Sequence, residues 1–339
     1  MKILVTGGLG FIGSHTVVEL QKKGYEVVII DNCSNSSIKV IDGITAITSK
    51  KPVFEQFDLR EKDKVVSFFE RHHDIEGVIH FAASKAVGES VEKPLLYYEN
   101  NLSTLVYILQ QLTQKGASNF IFSSSCTVYG QADKLPITED APVKAAESPY
   151  GNTKQIGEEI IQDTCKVNPS LKAISLRYFN PVGAHPSAEI GELPIGVPQN
   201  LVPFITQTGI GLREQLSVFG DDYPTQDGTC IRDYIHVVDL AKAHVIALQR
   251  LLEDKNASNY EVFNVGTGKG SSVLEVITSF EKVSDQKLNY KIVGRREGDV
   301  IAAYADTTKA NSQLGWKAES TLDESLSSAW KWEQKVRNS

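Results

Sequence analysis

The sequence predicts an α/β protein: a doubly wound parallel sheet followed by a smaller α/β unit. Three observations carry that expectation. Apolar, β-branched runs alternate with helical patterns through the first 180 residues, a rhythm that buries a parallel sheet between two helical layers. A glycine-spaced turn, Gly7-x-x-Gly10-x-x-Gly13, separates the first strand from the first helix. Beyond residue 180 the texture changes, and residues 181–230 are rich in Pro, Gly and Asp. The expected division is therefore 1–180 and 181–339, with segments near 231–265 returning to the first unit.

The elements follow in order. Lys2–Thr6 is a short apolar run ending at glycine. Residues 11–23 read as a helix, with Ile12, Thr16 and Leu20 at helical spacing. Residues 26–30, 53–57, 78–82, 119–123 and 173–179 read as buried strands. Residues 97–115 read as one helix whose stripe of Leu102, Leu105, Val106, Leu109 and Leu112 packs on the sheet or forms a subunit contact. Leu201–Gly209 reads as a short helix, 231–237 and 261–265 as returning strands, and 322–336 as a closing amphipathic helix.

Composition bounds the partners. The 339 residues are 41% hydrophobic and 23% charged, as in ordinary globular proteins. A net charge of −7 argues against a general nucleic-acid or membrane-surface binder and leaves local basic residues free to hold an anion. The four cysteines, Cys33, Cys126, Cys165 and Cys230, are scattered and form no CxxC, so neither a disulfide framework nor a metal site is expected. The start, Met1-Lys2-Ile3-Leu4-Val5-Thr6-Gly7, is not patterned as a signal peptide, and no run reaches bilayer length, so a soluble, cytoplasmic protein is expected.

The glycine turn suits a dinucleotide. Glycines at 7, 10 and 13 allow a tight turn and let backbone N–H groups approach a pyrophosphate, while Phe11 and Ile12 open the helix whose N-terminus favours anions. Asp31 ends the second strand, at the spacing expected of an acid that binds a ribose 2′-OH and repels a 2′-phosphate. This favours NAD over NADP. The competing reading of Asp31-Asn32 is plain turn chemistry. Asp58-Leu59, after the third strand, is placed to meet the adenine edge.

Redox chemistry on an alcohol carbon is suggested further along. Ser123-Ser124-Ser125 ends a strand, where ligands of doubly wound sheets bind. Tyr150 and Lys154 follow, one helical turn apart, behind Pro149 at a helix start. Free tyrosine has a pKa of about 10, so a phenolate at neutral pH requires a shift of about three units, roughly 4 kcal/mol. Two cations, the Lys154 ammonium and an oxidised nicotinamide, are expected to supply it. Alone, a YxxxK spacing is an ordinary surface pair; the glycine turn and the serine strand end argue otherwise.

The motifs Val78-Ile79-His80-Phe81-Ala82-Ala83, Lys85-Ala86-Val87-Gly88-Glu89-Ser90, Ser123–Gly130 and Tyr150–Lys154 resemble those of the extended short-chain dehydrogenase/reductase family. Arg177–Pro186, Arg232-Asp233-Tyr234-Ile235-His236 and Arg295-Arg296-Glu297-Gly298-Asp299 narrow the resemblance to its UDP-glucose 4-epimerases. The resemblance spans essentially the whole chain. It implies a tightly held NAD that is not consumed and a UDP-sugar whose C4 is oxidised, turned over and reduced on the other face. Tyr150 would take the proton of the 4-OH, Ser125 would hydrogen-bond the reacting oxygen, and Lys154 would also bind the nicotinamide ribose. Tyr178 would pack near the nicotinamide, with Phe81, Ala82, Ala83, Lys85, Asn100 and Ser123 lining the cofactor channel.

On the substrate side the resemblance implies Arg232 and Arg296 at the pyrophosphate, where guanidinium forks suit phosphate oxygens. It places Lys85, Asn180, Asn200 and Leu201 around the diphosphate and sugar, Phe219 on uracil, Asp299 on a uridine ribose hydroxyl, and Tyr234 beside them. It also implies a homodimer through helices near 97–115 and 152–167. Three departures stand out. Cys126 replaces an alanine common in the family, and Gln199 sits within a Pro-Asn-Asn pattern. The third matters more: an ungapped count from Arg295 puts Ala303 beside the sugar C2 substituent, where enzymes restricted to glucose and galactose look to carry tyrosine. Ala303 implies room for an acetamido group. A 4,6-dehydratase is disfavoured because Ser125-Cys126-Thr127 lacks its carboxylates. A net dehydrogenase is not excluded by the bottom-up chemistry, and a non-catalytic NAD sensor is opposed by the retained Ser125, Tyr150 and Lys154.

Overall fold

The computed structural model describes residues 1–116, 118–296 and 299–338. Its centre is a seven-stranded parallel sheet built from Lys2–Thr6 (β1), Glu26–Asp31 (β2), Val53–Gln56 (β3), Ile75–His80 (β4), Ser118–Ser125 (β5), Leu171–Tyr178 (β6) and the strand Tyr260–Val265. The order is β3-β2-β1-β4-β5-β6 and then Tyr260–Val265. The chain thus runs outward from β1 in one direction, returns to β4, and runs outward in the other. That reversal opens a crevice at the carboxyl ends of β1 and β4. The architecture is the Rossmann-type α/β fold expected from the alternating pattern.

Both faces are covered, which is why the strands read as near-continuous apolar runs. Ile3, Val5, Ile29, Ile79 and Ile121 pack with Val17, Leu20, Ile44, Leu240 and Leu248 from the helices Phe11–Lys22, Val40–Thr48 and Val237–Leu252. Leu4, Val28, Val78, Phe120 and Phe122 pack with Phe68, Leu105, Leu109 and Ile161 from Lys62–Arg71, Thr104–Lys115 and Pro149–Val167. Each such buried side chain contributes about 1.5–3 kcal/mol of transfer free energy. A separate core joins the helices Leu201–Gly209, Val273–Ser284 and Leu322–Asn338 through Val202, Ile205, Phe280, Leu326 and Trp330. Phe280 meets Trp330 edge to face at 5.5 Å.

Three expectations change. Residues 97–115 are not one α-helix: Pro94–Tyr98 leads into a π-helical segment, Glu99–Ser103, before Thr104–Lys115 resumes. Leu105, Leu109 and Leu112 are buried with Ile108 on the regular helix, whereas Leu102, within the wide turn, and Val106 are half-buried. Residues 231–237 are not one strand. Ile231–Arg232 pairs with Ser271–Ser272 and Ala302–Ala303, Tyr234–His236 pairs with Asn180–Val182, and Val237 begins a helix. The break is at Asp233, whose buried carboxylate accepts from Thr267, Gly268 and Ala305 N–H groups at 2.8–3.2 Å. The strand expected at 78–82 ends at His80, leaving Phe81 and Ala82 in the crevice loop. Among the described helices none is long and apolar enough to cross a membrane.

Candidate active site

The glycine turn closes over the carboxyl end of β1. Gly7 has φ +66°, a left-handed conformation that disfavours side chains, and a Cβ there would lie 2.8 Å from the Ala82 nitrogen. A Cβ on Gly13 would collide with the Gly7 carbonyl oxygen. Gly10 caps the helix Phe11–Lys22 without any side-chain hydrogen bond, so the first N–H groups remain open to an anion. Asp31 is buried at the end of β2, where its carboxylate accepts from Leu9 N at 3.1 Å, Cys33 N at 2.9 Å and Ser36 Oγ at 2.9 Å. The cradle and its acid therefore fit a dinucleotide's pyrophosphate and ribose. Asn32 Nδ2 donates to Asp58 at 3.1 Å, and Arg60 grips the same carboxylate with two bonds. The Arg60 hydrogen bonds lead in drawing the Asp58 carboxyl down to about 2. Leu59 is buried beside them.

The far wall comes from β4 and the π-helical segment. The Phe81 ring lies 4.6 Å from that of His244, and Tyr178 lies 5.9 Å from the same imidazole. Ala82 N donates to Thr6 Oγ1 at 3.3 Å, and Ala83 is half-buried next to it. Asn100 Nδ2 reaches Ser84 Oγ at 3.1 Å, while Asn101 clasps both backbone groups of Ser84 and the Thr153 hydroxyl. Asn101 was not singled out by sequence reasoning. The wide turn that places it breaks the heptad-like stripe and leaves no sequence signature. Lys85 pairs with Glu192 at 3.7 Å.

Tyr150 and Lys154 are buried on the helix Pro149–Val167, which Ser148 caps by accepting from Gly151 N at 3.1 Å. Pro149 fills the first turn, where no N–H is needed. The helix lies along the carboxyl end of β5. Lys154 Nζ donates to Ser123 O at 2.7 Å and sits 4.9 Å from the Phe122 ring centre and 5.8 Å from that of Tyr150. Ser123 Oγ meets the Tyr178 hydroxyl at 2.5 Å. Ser125 accepts from Thr127 N at 3.2 Å and interacts with the Tyr150 hydroxyl.

The electrostatics differ from the expectation. Burial pushes the Tyr150 phenol well above its ordinary value, reinforced by Tyr178 and opposed by Ser125. The Lys154 ammonium, 5.8 Å from the Tyr150 ring centre, is hydrogen-bonded to the Ser123 carbonyl rather than to the phenol. Burial instead pulls Lys154 itself down to about 8, against the attraction of Glu158. Phenolate at Tyr150 thus requires a further positive charge beside it.

A second polar group stands across the crevice. Arg296 holds Asp299 at 2.9 Å, and Arg232 reaches the same carboxylate at 3.4 Å. Arg296 lies 5.6 Å from the ring centre of Phe219, which is 41% exposed and so offers a stacking face. Tyr234 is buried with its phenol pushed up by desolvation, within range of Arg232 and Asp299. Ala303 pairs with Arg232 in register and packs, half-buried, with Cys126 against Val128, Tyr129 and Phe179. The Cys126 thiol, raised to about 12 by burial, also feels Arg232. Cys126 and Ala303 therefore link the serine strand end to the arginines. Asn180 N donates to Asp233 O at 2.9 Å. Asn200 stands at the N-cap of Leu201–Gly209, its amide 2.7 Å from Glu192. Glu192, which joins Asn200 to Lys85, carries no motif and went unread in the sequence. Glu297 and Gly298 of the Arg295–Asp299 motif lie outside the described residues.

The comparisons agree with this arrangement. A family model described as GDP-mannose 4,6 dehydratase matches residues 4–329. A UDP-glucose 4-epimerase of Bacillus subtilis (strain 168) is 49% identical over 333 residues, 98% of this chain and 97% of its own. A crystal structure of a UDP-glucose 4-epimerase from Stenotrophomonas maltophila, with bound NAD and formylated UDP-arabinopyranose, superposes with a TM-score of 0.96 at 46% identity, covering 100% of this chain and 99% of that one. One from Bifidobacterium longum, in complex with NAD+ and UDP, gives 0.94 at 45%, covering 100% and 99%. With a glycine cradle, a buried tyrosine–lysine pair and matches along its whole length, the chain belongs to the UDP-glucose 4-epimerases of the extended short-chain dehydrogenase/reductase family.

Proposed function

We propose that the chain interconverts UDP-galactose and UDP-glucose by inverting C4 of the sugar, using an NAD that stays bound. The observation that carries this is the placement of Tyr150, Lys154 and Ser125 between the glycine cradle and the Arg232–Arg296–Asp299 group. When bound, NAD supplies the hydride acceptor and the positive charge that Tyr150 lacks. Gly7, Gly10 and Gly13 cradle its pyrophosphate and Asp31 takes its adenosine ribose. Tyr150 takes the proton of the 4-OH and returns it after the transient 4-keto sugar has turned over. Ser125 holds the reacting oxygen, and Lys154 keeps a positive charge nearby. Arg232 and Arg296 hold the diphosphate, Phe219 stacks on the uracil, and Asn180 and Asn200 meet the sugar end. Incubation with UDP-galactose and no added NAD should give UDP-glucose without net NADH. A stable keto sugar would overturn the reading. Tyr150→Phe should lower kcat by about 10²–10⁴-fold, the usual worth of a general acid–base group.

We further infer that UDP-N-acetylgalactosamine and UDP-N-acetylglucosamine are substrates. Ala303 beside Arg232 presents only a methyl group where a phenol would fill the space, which supports room for an acetamido substituent. Ala303→Tyr should remove turnover of the acetamido sugars while keeping that of UDP-galactose. Wild-type turnover of UDP-N-acetylgalactosamine thousands of times slower than that of UDP-galactose would reject the idea. We also propose a cytoplasmic homodimer; half-buried Leu102 on the π-helical segment, Val106 and Tyr107 on the helix after it, and Ile160 on the helix Pro149–Val167 support the dimer contact. Light scattering after gel filtration should give twice the 37.3 kDa chain mass.

A further inference from the structure

We propose that Glu158 is a positioning residue for the Tyr150–Lys154 pair: it bolts their helix to the serine strand and keeps Lys154 charged. The inference rests on the reading of that pair as the proton-handling group. Tyr150, Lys154 and Glu158 stand at four-residue intervals on one face of the helix. Each meets a different serine of β5. Tyr150 faces Ser125, Lys154 donates to the Ser123 carbonyl at 2.7 Å, and Glu158 Oε1 accepts from Ser124 Oγ at 2.5 Å. Three rungs therefore fix the helix to the strand.

A second strand completes the anchor. Arg177 on β6 is the register partner of Ser124. From there its Nε and Nη2 reach Glu158 at 2.9 and 2.6 Å, and Nη1 donates to the Tyr129 hydroxyl at 3.0 Å. Tyr129 in turn donates to Asn264 Oδ1 at 2.6 Å. The side chains of Arg177 and Glu158 are 8% and 10% exposed. A buried ion pair gains little over apolar packing of the same volume, so stability alone is a weak reason to build one here. Fixing where the helix sits against β5 is a better one.

The groups around Lys154 show why its charge depends on this carboxylate. On its own helix it faces Tyr150 and Glu158. From β4 it faces His80, which burial holds near 3 and so keeps uncharged. From β5 come the Ser123 carbonyl and the Phe122 ring. From β6 the Tyr178 hydroxyl sits on Ser123 Oγ, and Arg177 is turned into its bonds with Glu158 and Tyr129. Glu158 also senses the phenols of Tyr129 and Tyr260, both raised by burial and thus neutral. Glu158 is the carboxylate that favours the Lys154 ammonium against burial.

The test is the pH profile of kcat/KM for UDP-galactose in holoenzyme. Glu158→Gln keeps an acceptor for Ser124 and removes the charge. Its high-pH limb should move toward neutrality by about one unit, giving about a tenfold loss at pH 9 and little loss at pH 6.5. Glu158→Asp, which keeps the charge, should restore the limb. Because Glu158→Gln leaves a buried arginine unpaired, Glu158→Gln with Arg177→Met serves if the single variant does not fold, and the same displacement is expected. A folded variant whose alkaline limb stays in place, with a loss uniform across pH, overturns the proposal. Tyr150→Phe is the control. If it keeps full turnover, the reading of the site has failed; if it is inactive and the limb does not move, only the role of Glu158 has.

Discussion

Gly13 leaves the cradle no spare volume. Its Cα faces the Gly7 carbonyl so closely that a methyl group would collide with backbone, which has no rotamer to escape by. Gly13→Ala should therefore open the turn and lower cofactor retention. A loss of about 1.4 kcal/mol would raise Kd about tenfold, so the variant should lose its nucleotide on dialysis that leaves the wild type loaded; equal retention would refute the argument. Lys154 gives a second residue-scale prediction. Burial lowers its pKa to about 8, so its charged form falls from about 90% at pH 7 to about 10% at pH 9. Activity needing the ammonium should decline with a midpoint near pH 8, and a flat profile from pH 7 to 9.5 would contradict it. The Tyr150–Lys154 spacing and the serine strand end at Ser125 are legible because they are linear in the chain, and the structure buries all three at one end of β5. The direction of the Tyr150 shift is not legible, since desolvation depends on Tyr178, Phe122 and the strand end, which meet only in three dimensions.

At the scale of elements, periodicity located the strands well and their ends less well. The central strands carry apolar runs because both faces are covered, so β1, β2 and the Phe120–Phe122 centre of β5 announce themselves, while the edge strand β3, Val53–Gln56, is partly exposed and less distinct. The segment 231–237 has the same texture, yet Asp233 turns it between two small sheets by gathering three N–H groups on one carboxylate. Nothing in a one-dimensional pattern distinguishes that aspartate from a solvated one. The π-helical segment Glu99–Ser103 is similar: its extra residue per turn rotates Asn101 inward, where it ties the Ser84 loop to Thr153 on the helix Pro149–Val167. Asn101→Ala would leave the Ser84 N–H and carbonyl without that partner, at a cost of about 1–3 kcal/mol. Urea unfolding should show the loss as a lower midpoint at unchanged slope. A midpoint equal to wild type would show that water replaces the amide without penalty.

At the scale of the whole molecule, five of the seven histidines are internal: His15, His80, His185, His236 and His244. They lie on different elements, so their protonation reports on the integrity of the entire packing. Desolvation is the leading cause in each case, taking His15 and His80 to about 3 and His185 and His244 to about 4, with His236 lowered as well. The unfolded chain binds these protons near pH 6.5, whereas in the folded chain His15, His80, His185 and His244 refuse them until about pH 3–4 and His236 is lowered in the same direction. Between those limits the unfolded state holds more protons, so stability rises with pH and falls on acidification. The histidine contribution is fully present above about pH 6.5 and is lost as pH descends toward the folded values. The thermal midpoint should therefore drop steadily from pH 7 to pH 5, before the carboxylates titrate. His15 is the sharpest probe, because its Nδ1 is bonded to the Phe11 carbonyl at 2.7 Å and its Nε2 is buried with no partner. A glutamine there cannot take up a proton, so His15→Gln should flatten part of the decline relative to its own pH 7 value. An identical slope in wild type and variant would mean that the acid sensitivity arises elsewhere than in this buried imidazole.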